Sequence, residues 1–124
     1  MTAFQFHASL LLLLTAGCEA PPAARHHMPG ADPGRGKRII GSVGCGACHL
    51  VPGLDWPRGR MGPPLTAFAE RTMIGGRLPN RPDVLVAWIR DAPRLVPGTA
   101  MPAMPVTQEE ARDVAAYLYT LDGR

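Results

Sequence analysis

A chain of 124 residues gives one domain of ordinary size and excludes a second core. Apolar residues make up 46% of it but Phe, Trp and Tyr only 6%, so large side chains to fill an interior are scarce. A formal charge of +3, with the Lys and Arg interleaved with Asp and Glu, excludes a phosphate-tracking nucleic-acid surface.

In chain order, the first element is an apolar run from Ala8 to Ala16. It is too short for the ~20 residues of a membrane-spanning helix and suits the core of a signal peptide. It ends in Leu14-Thr15-Ala16-Gly17-Cys18, which looks like the lipobox of bacterial lipoproteins. Residues 1–17 are therefore expected to be removed and Cys18 to carry lipid; plain cleavage near Cys18 with a free thiol is the alternative. From residue 18 to 34 the composition is rich in Pro, Ala and Gly without apolar periodicity, and predicts a tether with a reach on the order of 20 Å. His26, His27 and Met28 are read as part of that tether. The folded domain is counted from residue 35 to 124.

Asp32-Pro33 is a helix start, with Asp as N-cap and Pro in the first turn, opening a helix through Ile39, Ile40 and Val43. It leads into Cys45-Gly46-Ala47-Cys48-His49, the C-x-x-C-H pattern of c-type haem attachment. Two thiols three positions apart can each form a thioether to one haem vinyl group, and the adjacent histidine is then held under the iron. A zinc site using Cys45, Cys48 and His49 would need a fourth ligand, and no further cysteine pair or spaced histidine pair follows. A redox dithiol would sit near a βαβ pattern, and no such alternation is visible.

After the turn Gly62-Pro63-Pro64, a short helix is predicted from Leu65 to Arg71. Another begins at Pro82, carries Val84, Leu85, Trp88 and Ile89 on neighbouring turns, and ends before Pro93. The last helix opens on a capping box, Thr107 with Glu110, followed by Ala111, Val114, Ala115, Leu118 and Leu121 at helical spacing. No run alternates with period two, so no β-sheet is expected. The fold class is all-α: three main helices plus a short one, joined by long loops.

Together the attachment motif, the loop Gly62-Pro63-Pro64-Leu65, the segment Pro97-Gly98-Thr99-Ala100-Met101 and a C-terminal helix ending Ala116-Tyr117-Leu118 resemble the class I monohaem cytochromes c, over about residues 34 to 122. The resemblance implies one covalent haem c with Met101 as the distal iron ligand opposite His49. Met104 is the less favoured thioether. It also implies that the Pro63 carbonyl accepts from the free ring nitrogen of His49. Trp88 takes a position where relatives often have a tyrosine contacting the methionine ligand; an aromatic core filler is the other reading. Arg77 and Asn80 are expected to face the haem propionates.

The function so implied is one-electron transfer rather than enzyme catalysis, on the periplasmic side of a bacterial membrane. The partners are redox proteins and, through the lipid, the membrane itself. A haem subunit of a terminal oxidase or periplasmic dehydrogenase is the alternative. The dispersed basic residues read either as a solvated surface or as a docking face for an acidic redox partner.

Overall fold

The computed structural model describes residues 26–123; the expected signal peptide, Cys18 and the tether up to residue 25 lie outside the described residues. Among the described residues three helices carry the fold: α1 (Pro33–Ser42), α2 (Pro82–Leu95) and α3 (Gln108–Leu118). Single 3-10 turns at Cys45–Ala47 and Phe68–Glu70 lie between α1 and α2. Among the described residues, no helix is long and apolar enough to cross a membrane.

Each helix starts where its side chains dictate. The Asp32 carboxylate accepts the Arg35 N–H at 3.0 Å, ahead of Pro33. The Thr107 hydroxyl accepts the Glu110 N–H at 3.2 Å while the Glu110 carboxylate accepts the Thr107 N–H at 2.7 Å, so both partners of the capping box are in place. Regular α2 breaks at Asp91 (φ −157, ψ 73), as Pro93 requires. One more helical turn then reaches Leu95, because the Asp91 side chain caps it by accepting the Arg94 N–H at 3.2 Å. That extra turn extends beyond the end predicted before Pro93.

Helix α3 is the hub against which α1 and α2 both pack. Its stripe of Ala111, Val114, Ala115 and Leu118 is buried with Ile40 of α1 and Leu85 and Ile89 of α2. The stretch predicted as helix from Leu65 to Arg71 forms only the 3-10 turn at Phe68–Glu70, entered through Ala67 at φ 51. The chain next forms a feature absent from the all-α expectation, a two-residue antiparallel ladder of β1 (Met73–Ile74) and β2 (Leu78–Pro79). Strands of two residues are too short to print an alternation in sequence. Their turn uses Gly75 and Gly76, both at positive φ, where a side chain would be strained.

Ordered packing begins before residue 35. The His26 ring stacks on Tyr119, centroids 4.0 Å apart and 7° from parallel. Met28 packs against the core, and Arg112 donates to the Pro29 carbonyl at 2.8 Å. Composition reads this segment as tether because its contacts are single long-range ones with no local period.

Candidate haem site

The motif that carries the chemistry is presented by a tight turn. Gly44 leaves α1 at φ 85, and the 3-10 turn that follows lets the His49 and Cys48 N–H groups both bond to the Cys45 carbonyl, at 3.0 and 3.3 Å. Burial pushes the Cys45 thiol up from its ordinary pKa. Cys45 and Cys48 form no disulfide.

The segment after the motif folds back over it. Gly59 N–H donates to Gly46 O at 2.7 Å, Gly62 N–H to Cys48 O at 2.8 Å and Leu65 N–H to Leu50 O at 2.8 Å. These bonds bring Pro63 to His49, whose Nδ1 lies 2.7 Å from the Pro63 carbonyl oxygen. A carbonyl can only accept, so Nδ1 carries a proton, and in the neutral ring Nε2 is then the nitrogen available to a metal. Gly62 lies against the imidazole face; a Cβ there would come within 2.6 Å of Nδ1.

Between these segments and α2 lies a cavity of about 400 Å³. Cys45, Cys48, His49, Pro63, Trp88, Met101 and Met104 all line it, so the residues picked from sequence are brought together. The rest of the lining is overwhelmingly apolar, including Ile40, Leu65, Phe68, Leu85, Ile89, Val114 and Leu118. The chain's own side chains leave this volume unfilled, where a packed interior would fill it. The scarcity of aromatic residues thus has a structural counterpart: the core is built around a space for something else.

Trp88 is 7% exposed. Gly75 lets the turn of the small ladder approach its ring, since a Cβ there would sit 2.8 Å from Cη2. No bond from its indole N–H to a protein acceptor forms among the described residues, the methionine sulphurs included. Arg77 and Asn80 do not line the cavity. Arg77 is exposed. Asn80 is buried behind the site, its amide donating to Phe68 O and Arg71 O at 3.2 and 3.0 Å and its oxygen accepting the Tyr119 hydroxyl at 3.0 Å.

Sequence reasoning missed Arg71. It is the one Arg or Lys in the lining, held over the Phe68 ring at 5.4 Å and donating to the Pro64 and Thr66 carbonyls. Nothing in its local spacing marks it, because its partners are carbonyls of a preceding irregular loop. A haem, which carries carboxylates of its own, would find in Arg71 the single Arg or Lys of the lining.

The donor set fits a c-type haem: two thiols and an imidazole from one short motif, thioethers from a second segment, and an apolar lining. The family profile of cytochrome c matches residues 34–122. The chain belongs to the cytochrome c family. As a cytochrome c it carries covalent haem c, has the all-α fold of class I and transfers electrons through that haem. It is 38% identical over 88 residues to cytochrome c oxidase subunit 2 of Alkalihalophilus pseudofirmus, a match that takes in 70% of this chain and 25% of that protein. The chain thus spans about a quarter of that relative's length. A SoxXA chain from P. pantotrophus has the same fold, with a TM-score of 0.54 at 24% identity over 74% of this chain and 82% of that one.

Proposed function

We propose that this cytochrome c is a membrane-tethered, periplasmic one-electron carrier. Its haem is bound to Cys45 and Cys48, with His49 and Met101 as axial ligands. The observation that carries the reading is that His49, with Nε2 left as the basic nitrogen, and Met101 line one cavity with both motif thiols.

When bound, the haem supplies an iron centre that alternates between ferrous and ferric. The two cysteines fix the macrocycle by thioether bonds. Pro63 sets the tautomer and orientation of His49. A thioether from Met101 favours a higher potential than a second imidazole would. The apolar lining keeps water from the metal and disfavours the more charged oxidised form, in the same direction. With His49 on one side and Met101 on the other, these residues would leave the iron no open position, which suits electron transfer. Cys18 anchors the N-terminus in this reading, and the chain between it and His26 is a short leash.

The test is the optical spectrum of the exported protein, with carbon monoxide added to the reduced form, together with the intact mass from the membrane fraction. Low-spin bands indifferent to carbon monoxide and a lipid mass on Cys18 are the expected results. A high-spin spectrum, or a rapid carbon monoxide shift, refutes the His49/Met101 assignment; an unmodified Cys18 refutes the anchor.

A second reading, a haem subunit of a membrane oxidoreductase, is favoured by the match to part of an oxidase subunit 2. Purification from mildly solubilised membranes separates the two. A stoichiometric enzyme partner supports the subunit, and a monodisperse single chain supports the carrier.

A further inference from the structure

The two tryptophans have opposite environments. Trp88 is buried in the haem cavity, whereas Trp56 is 81% exposed and Met61, five residues on, is 90% exposed. Both belong to the segment that folds back over the attachment motif. That segment is not a loose loop: Gly59 and Gly62 bond to the carbonyls of Gly46 and Cys48. Gly46 is so closely covered that a Cβ there would lie 2.7 Å from Leu54 Cδ2 and from the Pro57 carbonyl. Met61 lines the cavity while being almost fully exposed, which places it at the opening. The segment therefore holds two large apolar side chains in water on a firm support next to the haem attachment. Isolated exposed apolar residues are ordinary; a tryptophan so placed is the residue type that most often anchors an interface.

Charge decides what would cover them. Arg58 and Arg60 lie between Trp56 and Met61 in the sequence, both exposed, and neither pairs with an acid among the described residues. Lys37 of α1 reaches the start of the same segment beside Gly53, and Asp55 is the single acid from residue 50 to 63. The wider distribution agrees: residues 36–81 hold seven Lys and Arg against two Asp and Glu, while residues 82–123 hold three against six. The half of the chain that carries the attachment motif is positive and the C-terminal half negative. Such a dipole orients an approaching protein.

We infer that Trp56 and Met61, with Arg58 and Arg60 between them, form the docking surface for an acidic electron-transfer protein that receives the indole in an apolar pocket. The inference rests on the electron-carrier reading and adds to it the chemistry of the partner. A lipid surface rich in anionic headgroups offers similar charge. The protein partner is favoured because the segment that carries Trp56 is bonded to the attachment motif and its Met61 stands at the cavity opening, so a protein seated on this segment lies beside the haem attachment. An electron acceptor needs that proximity and a headgroup does not.

The test measures second-order electron transfer from the reduced holoprotein to plastocyanin, an acidic copper protein, and to ferricyanide, a small anion that needs no docking pocket. Trp56→Ala is expected to slow transfer to plastocyanin by about fivefold or more at low and high salt alike, and Trp56→Phe to recover part of it. Arg58→Glu with Arg60→Glu is expected to slow the low-salt rate by about tenfold and flatten its salt dependence. The midpoint potential should be unchanged in both Trp56 variants, and Trp56→Ala should leave the ferricyanide rate within twofold. A plastocyanin rate for Trp56→Ala within twofold of wild type overturns the proposal. So does an equal loss with both oxidants, or binding to phosphatidylserine vesicles that the charge reversals abolish while plastocyanin transfer is untouched. If wild-type protein reduces neither oxidant, the carrier reading itself fails and the docking surface falls with it.

Discussion

Gly36 of α1 lies flat against the main chain of Asp113 in α3. A Cβ on Gly36 would run into the Asp113 carbonyl and come within 2.9 Å of the Val114 nitrogen. Backbone cannot yield as a side-chain tip can, so the two helices approach this closely only because residue 36 has no side chain. Gly36→Ala is expected to force them apart and destabilise the domain by roughly 1–3 kcal/mol, even though alanine is the better helix former. Chemical denaturation of the holoprotein checks it; an unchanged or raised midpoint would refute the crossing.

The same contact buries a charge. The Asp113 carboxylate, 0% exposed, accepts from the Asp32 N–H at 2.8 Å and from Arg35, which also reaches Glu109 at 2.7 Å. Burial alone would raise the Asp113 pKa, but the hydrogen bond from Arg35, the bond from Asp32 and the nearby positive charges outweigh it and hold it below the usual carboxylate range. A carboxyl whose folded pKa is depressed adds stability that is fully present above its unfolded pKa of ~3.9 and fades as the pH falls toward the folded value. Melting temperature should therefore decline with acid below about pH 4. Asp113→Asn should be less stable at neutral pH and lose part of that acid dependence.

The two methionines of Met101-Pro102-Ala103-Met104 both line the haem cavity, so a substitution is needed to tell them apart. With Met101 as the ligand, Met101→Ala opens a coordination position: the ferrous protein should bind carbon monoxide rapidly and the potential should fall. Met104→Leu fills a similar volume without sulphur and should leave the low-spin spectrum intact. The reverse pattern in the reduced-minus-carbon-monoxide spectra would assign the iron to Met104.

Removing the attachment chemistry tests how far the fold depends on it. Helices α1, α2 and α3 all contribute apolar side chains to the wall of the cavity of about 400 Å³, and those surfaces would face water with no haem attached. Cys45→Ser with Cys48→Ser is therefore expected to give a chain that holds no haem covalently and has lost most of its native helix. Far-ultraviolet circular dichroism and denatured-gel haem staining read the two effects separately. A native-like spectrum in the haem-free chain would show that the helices close the core unaided.

What could be read in advance follows a physical division. Helix starts at Asp32 and Thr107 and the C-x-x-C-H motif are local: cap, proline and thiol spacing act within a few residues, and each is written contiguously. The 3-10 turn at Phe68–Glu70, the two-residue ladder, Arg71 in the cavity lining and the docked segment at His26 depend on partners distant in sequence or on irregular backbone, which leave no period to detect. Asp113 is instructive because it sits in the polar phase of the last helix as written. It is buried all the same, since α1 crosses there and brings Arg35 with it. The resemblance places Trp88 near Met101, and it lines the same cavity.

The orientation of His49 offers the sharpest test of the candidate site. Its Nδ1–H reaches the Pro63 carbonyl at 2.7 Å, an acceptor on the main chain that no side-chain substitution deletes. The accessible handle is Gly62, whose missing side chain lets the loop lie on the imidazole; a Cβ would stand 2.6 Å from Nδ1 and 2.9 Å from Nε2. Gly62→Ala must therefore tilt the ring or lift the loop, and either change lengthens the bond to Pro63. A histidine that loses this acceptor is a weaker donor to a metal and less firmly directed, so the ferric spectrum should gain a high-spin component and the potential should shift. Gly59→Ala provides the control: it also crowds backbone, at Ala47 and Cys48, yet the imidazole is not among its nearest neighbours. If both variants lose stability but only Gly62→Ala changes spin state, Pro63 positions His49; identical spectra would leave the carbonyl with no role at the iron.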